Sequence, residues 1–230
     1  MIVPFSNLVV NGHGFEMLAA LIGSLLWVVA YILMIIRGFR DQTYGLPLVA
    51  IMLNFTWEFI YVVIYPPDNK TVLWLRILWL VVDVFNVWLL VRYGKAVQSI
   101  PQIRDHFYPI LMCTFAFCYV GHLVLHHRLG NTADNESAYS INFIMSILFV
   151  FLFLNRPNQS GLSYGAAWAK MLGTGIMSVA DFLAFRQSGE THYFLEYLFV
   201  GVFIFDVLYI YMLHNARARV TQVAPIAKAA

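Results

Sequence analysis

The chain has 230 residues, of which 61% are hydrophobic, 17% aromatic and only 11% charged, with a mean hydropathy of +0.73. A soluble globular domain carries about 25% charged residues, so this composition excludes a water-soluble globule, and it excludes disorder equally. Lys plus Arg is 14 against 12 for Asp plus Glu, a formal charge of +2 scattered over short connections, so no basic stripe for nucleic acid is present.

In chain order, low-charge windows predict seven membrane helices at about 15–37, 45–65, 71–93, 107–126, 138–154, 164–185 and 192–214. The fold class is therefore an all-α integral membrane protein, a seven-transmembrane-helix bundle forming one domain over 1–221 with a short tail at 222–230. The opening MIVPFSNLVV lacks a basic segment and is broken by Pro4 and Asn7, so the first span is expected to act as its own insertion signal. Cys113 and Cys118 stand five apart in an apolar run and read as small core residues rather than a disulfide or metal pair.

Orientation follows from the cations. Arg37, Arg40, Arg92, Lys95, Arg104, Arg156, Arg217, Arg219 and Lys228 fall on one side, nine in all, against Lys70, Arg128 and Arg186 on the other. This bias puts the N-terminus outside and the C-terminus in the cytosol, with Arg76 and Lys170 just inside spans. The chain lacks an internal repeat of the kind that builds many transporters, and its last span has no lysine to carry retinal.

Ionisable residues inside a span are costly, by roughly 2.5–3.5 kcal/mol each on insertion scales, so the buried acids are the informative ones. Asp181 and Glu196 lie near outer ends, where water, Arg186 or His192 is within reach. Glu58, Asp83 and Asp206 lie near span centres with no Lys or Arg at helical spacing to neutralise them. Around them the helical period gathers aromatic and amide side chains. Asn54, Trp57, Glu58 and Tyr61 share one face of the second span, Trp79, Asp83 and Asn86 lie together on the third, and Phe199, Phe203, Asp206 and Tyr209 share a face of the last.

A carboxylic acid in a low-dielectric cavity favours its neutral form and can donate a proton to an alkene or an epoxide oxygen. Aromatic rings then stabilise the resulting carbocation and keep water from quenching it. Acid, rings and a dry cavity are the requirements of a cationic cyclisation.

With Asn54-Phe-Thr-Trp57-Glu58-Phe-Ile-Tyr61 followed by Pro66-Pro67, and Phe205-Asp206-Val-Leu-Tyr209 in the last span, the chain resembles the integral-membrane terpene cyclases of meroterpenoid and indole-terpenoid biosynthesis. The resemblance implies that Glu58 and Asp206 are the essential acids of a joint system, without assigning the donor between them. It implies a class II-like, proton-initiated cyclisation of a prenyl or epoxyprenyl chain, farnesyl in type, on an aromatic, indole or polyketide head. Asn54, Trp57, Tyr61, Trp79, Asp83, Asn86, Phe199, Phe203 and Tyr209 would then contact the substrate or stabilise the cation. No metal and no cofactor are implied. The partners are a small prenylated substrate and the lipid bilayer, in a bacterial inner membrane or a fungal endoplasmic reticulum; the oligomeric state is open.

Two other readings compete. His122 and His126 stand at i and i+4, a spacing that can hold zinc, and with His192, Asp181 or Glu196 converging they would make a metal-dependent lipid hydrolase. A seven-helix transporter or receptor would use Glu58, Asp83 and Asp206 as an ion or proton pathway, but leaves the aromatic crowding unexplained.

Overall fold

The computed structural model describes residues 14–189 and 191–223, and among these it is helical throughout, with no strand. The helices are α1 (Gly14–Asp41), α2 (Leu48–Phe59, continued by a π-helical turn Ile60–Ile64), α3 (Lys70–Tyr93), a short α4 (Pro101–Asp105), α5 (Phe107–Leu129), α6 (Ala133–Leu154), α7 (Tyr164–Ser188) and α8 (Tyr193–Val223). Each predicted segment falls on a helix. The addition is α4, in a connection expected to be a loop, where Pro101 supplies a preset first turn. The helix α8 runs two residues into the expected tail, and 224–230, like the opening MIVPFSNLVV, lies outside the described residues.

Five helices, α1, α3, α5, α6 and α8, are long and apolar enough to cross a membrane. The segment Leu48–Ile64 is apolar but shorter, and α7 is long yet carries Lys170, Asp181 and Arg186. Apolar side chains cover the outside, as on α5, where Met112, Phe117, Val120 and Val124 are all exposed. Such a surface suits lipid rather than water.

Capping and loop chemistry set the helix ends. Asn69 caps α3 by accepting from the N–H groups of Thr71 (2.8 Å) and Val72 (3.2 Å). At the opposite face of the bundle, Arg156 donates to the carbonyls of Tyr44 (2.6 Å) and Ser160 (2.9 Å), while Asp41 accepts from the N–H of Gly161 (2.8 Å). These bonds lock the α1–α2 connection to the α6–α7 connection. Gly161 has a φ of +76°, and a Cβ there would lie 2.8 Å from the Tyr44 carbonyl oxygen, so no other residue fits.

The helix α2 is central, packing against α3, α5 and α6, which explains why Ala50, Ile51, Met52, Thr56 and Ile60 are all buried. The most extensive helix contact joins α1 to α7, and it depends on glycine. A Cβ on Gly23 would stand 2.8 Å from the Gly173 carbonyl oxygen, and one on Gly173 would stand 2.9 Å from the Gly23 carbonyl oxygen. Small residues let membrane helices approach closely enough for dispersion to hold them. Gly173→Leu is therefore expected to separate α1 from α7 and to lower the melting temperature of detergent-solubilised protein by several degrees. Leu at Gly175, where a Cβ meets nothing within 4 Å, is the control expected to leave it unchanged.

Candidate active site

The polar face of α2 turns toward a cavity enclosed by α1, α2, α3, α6 and α7. Asn54, Trp57 and Glu58 line it, with Trp27 and Tyr31 from α1, Trp79 from α3, and Asn142 and Thr174 from α6 and α7. The walls leave about 770 Å³ of space between them, a figure that includes the open mouth. Tyr61 lies behind this wall, its ring 5.0 Å from that of Trp57. The α2 backbone passes into its π-helical turn two residues after Glu58, the kind of local irregularity that often accompanies functional sites.

The cavity is braced by cross-helix hydrogen bonds. The Trp57 indole N–H donates to the Ser137 hydroxyl (2.9 Å), fixing α2 to α6. The Trp27 indole N–H and the Asn142 amide both donate to the Thr174 hydroxyl, at 3.1 and 2.8 Å, fixing α1 and α6 to α7. Three indoles thus line the cavity from three helices, with their N–H groups directed to neighbouring helices; that of Trp79 reaches the Ser24 carbonyl at 3.4 Å.

Glu58 is 3% exposed and Asp83 fully buried, and the two carboxyls are close enough to interact electrostatically. Asn86 donates to Asp83 Oδ1 at 2.9 Å, and Asn54 donates to the Tyr31 hydroxyl. Glu58 Oε2 and Asp83 Oδ2 have no hydrogen-bond partner, and neither acid forms a salt bridge among the described residues. Helix α3 thus brings Trp79, Asp83 and Asn86 to the α2 face, as their spacing suggests.

Asp206 is placed differently. The absence of a neutralising cation at helical spacing does not hold across helices. Lys170 of α7 reaches it with Nζ 2.7 and 2.8 Å from the two carboxylate oxygens and 2.7 Å from the Ser146 hydroxyl. Both residues of the pair are buried. Lys170 Nζ also sits 5.5 Å from the Trp27 ring centroid, so the ion pair stands behind a cavity wall rather than within the cavity. Of the α8 face, Phe199, Phe203 and Asp206 line a second groove, between α7 and α8, while Tyr209 is buried beyond it. Phe199 packs on Tyr139 at 4.6 Å, Tyr209 stacks on Phe149 at 5.0 Å, and Phe203 is exposed in that groove, outside the cavity. The structure does not bring these three to Glu58.

The histidine pair is dispersed as well. His122 Nε2 is 3.1 Å from the Leu53 carbonyl oxygen, and His126 stacks on Tyr65 with ring centroids 3.7 Å apart. Asp181 accepts from the Tyr139 hydroxyl at 2.8 Å, correcting the expectation that it reaches water or Arg186, while Glu196 does take Arg186 at 3.1 Å. Among the described residues no three His, Cys, Asp or Glu side chains gather as a metal site.

Sequence reasoning missed Trp27, Tyr31, Lys170 and the pair formed by Arg76 and Asp134, whose atoms lie 2.8 Å apart. A signal existed for some of them: Lys170, Thr174 and Asp181 form a polar stripe at i, i+4 and i+11 of α7, and Arg76 is a lone cation inside a span.

A profile of Pyr4-like transmembrane terpene cyclases matches residues 14–219. The chain is 29% identical over 160 residues to terpene cyclase macJ of Penicillium terrestre, covering 66% of this chain and 61% of that relative. It is 27% identical over 176 residues to terpene cyclase pyr4 of Aspergillus fumigatus, covering 74% and 70%. It is 28% identical over 211 residues to terpene cyclase andB of Emericella variicolor, covering 88% and 89%. No solved structure matches the chain.

Proposed function

The chain belongs to the Pyr4-like transmembrane terpene cyclase family, a multi-pass membrane protein, and on that premise we propose that its buried Glu58–Asp83 pair starts a proton-initiated cyclisation. The substrate is a prenyl or epoxyprenyl chain on an aromatic, indole or polyketide head. In this reading α1, α2 with its π-helical turn, α3, α5, α6, α7 and α8 all cross the bilayer, with the N-terminus outside, as the nine-to-three bias of Lys and Arg supports.

The observation that carries the proposal is Glu58, a buried acid that lines the cavity together with three tryptophans and whose Oε2 has no hydrogen-bond partner among the described residues. Two buried carboxyls in low dielectric, with no salt-bridge partner among the described residues, favour keeping a proton. Glu58 lines the cavity and delivers that proton to an alkene carbon or an epoxide oxygen, while Asp83, fixed by Asn86, orients it and shares the charge left behind. The developing cation moves along the chain as ring bonds form, stabilised by Trp27, Trp57 and Trp79. Loss of a proton from the last cation closes the cycle, so the net reaction is an isomerisation that consumes no cofactor. Asp206 acts through Lys170, whose ion pair backs Trp27, and is a positioning residue.

The test is an assay of membranes containing the protein, offered farnesylated and epoxyfarnesylated aromatic substrates, with products read by mass spectrometry and NMR. The expected product is a cyclic isomer of unchanged mass. No turnover of either chain by well-expressed protein would overturn the proposal.

A further inference from the structure

The proton-transfer scheme leaves one built part of the cavity without a role. Arg76 lies seven residues before Asp83 on α3, two turns or about 10 Å along the axis, and is 2% exposed. Its Nη2 donates to Asp134 Oδ2 at 2.8 Å, and its guanidinium carbon lies 5.2 Å from the centroid of the Trp57 ring. Asp134 is fully engaged, since its other oxygen accepts from the backbone N–H of Asn135 at 2.7 Å. Two groups remain. Arg76 Nε and Asn135 Nδ2 are buried and have no partner among the described residues, and both side chains belong to residues lining the cavity.

Both unpartnered groups are N–H donors. A buried donor without a partner costs on the order of 1–3 kcal/mol, which a ligand oxygen would recover. The charge of Arg76 is balanced by Asp134, so the complement need not be an anion. We propose that Arg76 and Asn135 form a head-group subsite that takes an acceptor oxygen, a ring carbonyl or hydroxyl, and so directs the attached prenyl chain toward Glu58. The inference rests on the cyclase reading and sharpens it: a ring bearing acceptor oxygens matches these donors, whereas an indole, whose polar atom is itself a donor, does not.

The experiment compares a farnesylated hydroxyacetophenone with a farnesylated ethylbenzene, the same chain on a ring without either oxygen. Wild type, Asn135→Leu and the double variant Arg76→Gln/Asp134→Asn are each assayed for KM and, in detergent, for equilibrium binding. The double variant removes both charges together, so no lone ion is left buried. Wild type is expected to prefer the oxygenated ring by about tenfold or more in KM and Kd, and both variants to reduce that preference to about threefold or less. A ratio is insensitive to partial misfolding. An undiminished preference in both variants, or none in wild type, would overturn the subsite. Selective binding without turnover by wild type would keep the subsite and sink the cyclase reading instead.

Discussion

Glu58→Gln is expected to lower cyclisation by about 10²–10⁴-fold while the protein stays folded, the loss typical of removing a positioned general acid. The separation of activity from stability follows from the surroundings. Among the described residues Glu58 has one unpartnered oxygen and no ion pair, so an isosteric amide strands no cation and leaves no larger void. Asp83→Asn should be milder, since the amide oxygen still accepts from Asn86, which donates at 2.9 Å in the native site. The check is the initial rate of product formation per mole of protein, with matched melting curves. Turnover by Glu58→Gln within a few-fold of wild type would remove Glu58 as the proton donor.

Hydropathy located the helices because each low-charge window stands out independently of its neighbours, and five of the helices are long and apolar enough to cross a membrane. The α2 face was readable for a related reason. Asn54, Trp57 and Glu58 are polar or amphipathic on an otherwise aliphatic helix, and a central helix has no water to turn them to. The same arithmetic on α8 grouped Phe199, Phe203, Asp206 and Tyr209 correctly as neighbours but could not tell what lies opposite. Helical spacing reports which side chains share a face; the partner of that face is tertiary information. Asp206 meets Lys170, 36 residues away in sequence, and the Arg76–Asp134 pair is separated by 58, so neither could be read from periodicity. His122 and His126 had ligand spacing on one helix, but zinc needs ligands from several elements to converge, and Asp181 and Glu196 are committed to Tyr139 and Arg186.

The Lys170–Asp206 pair makes the second strong prediction, and it separates two roles that activity alone would confuse. Asp206→Asn leaves Lys170 buried at 1% exposure with its charge uncompensated, which is expected to cost about 3–5 kcal/mol and to deplete folded protein in membranes. A loss of activity in that variant would therefore look like the loss of a catalytic acid. Lys170→Met/Asp206→Asn removes both charges and keeps the volume, so it should recover most of the folded yield, because a neutral, well-packed replacement of a buried pair is often no less stable. If Asp206 only positions Lys170 and Trp27, the double variant regains measurable cyclisation, with a shifted product ratio where Trp27 has moved. If Asp206 is itself the proton donor, the double variant folds and stays inactive. Folded yield measured by fluorescence-detected size exclusion, set beside product analysis of the same membranes, distinguishes the two. An inactive, fully folded double variant would return the initiating proton to Asp206 and leave Glu58 to serve the other end of the chain.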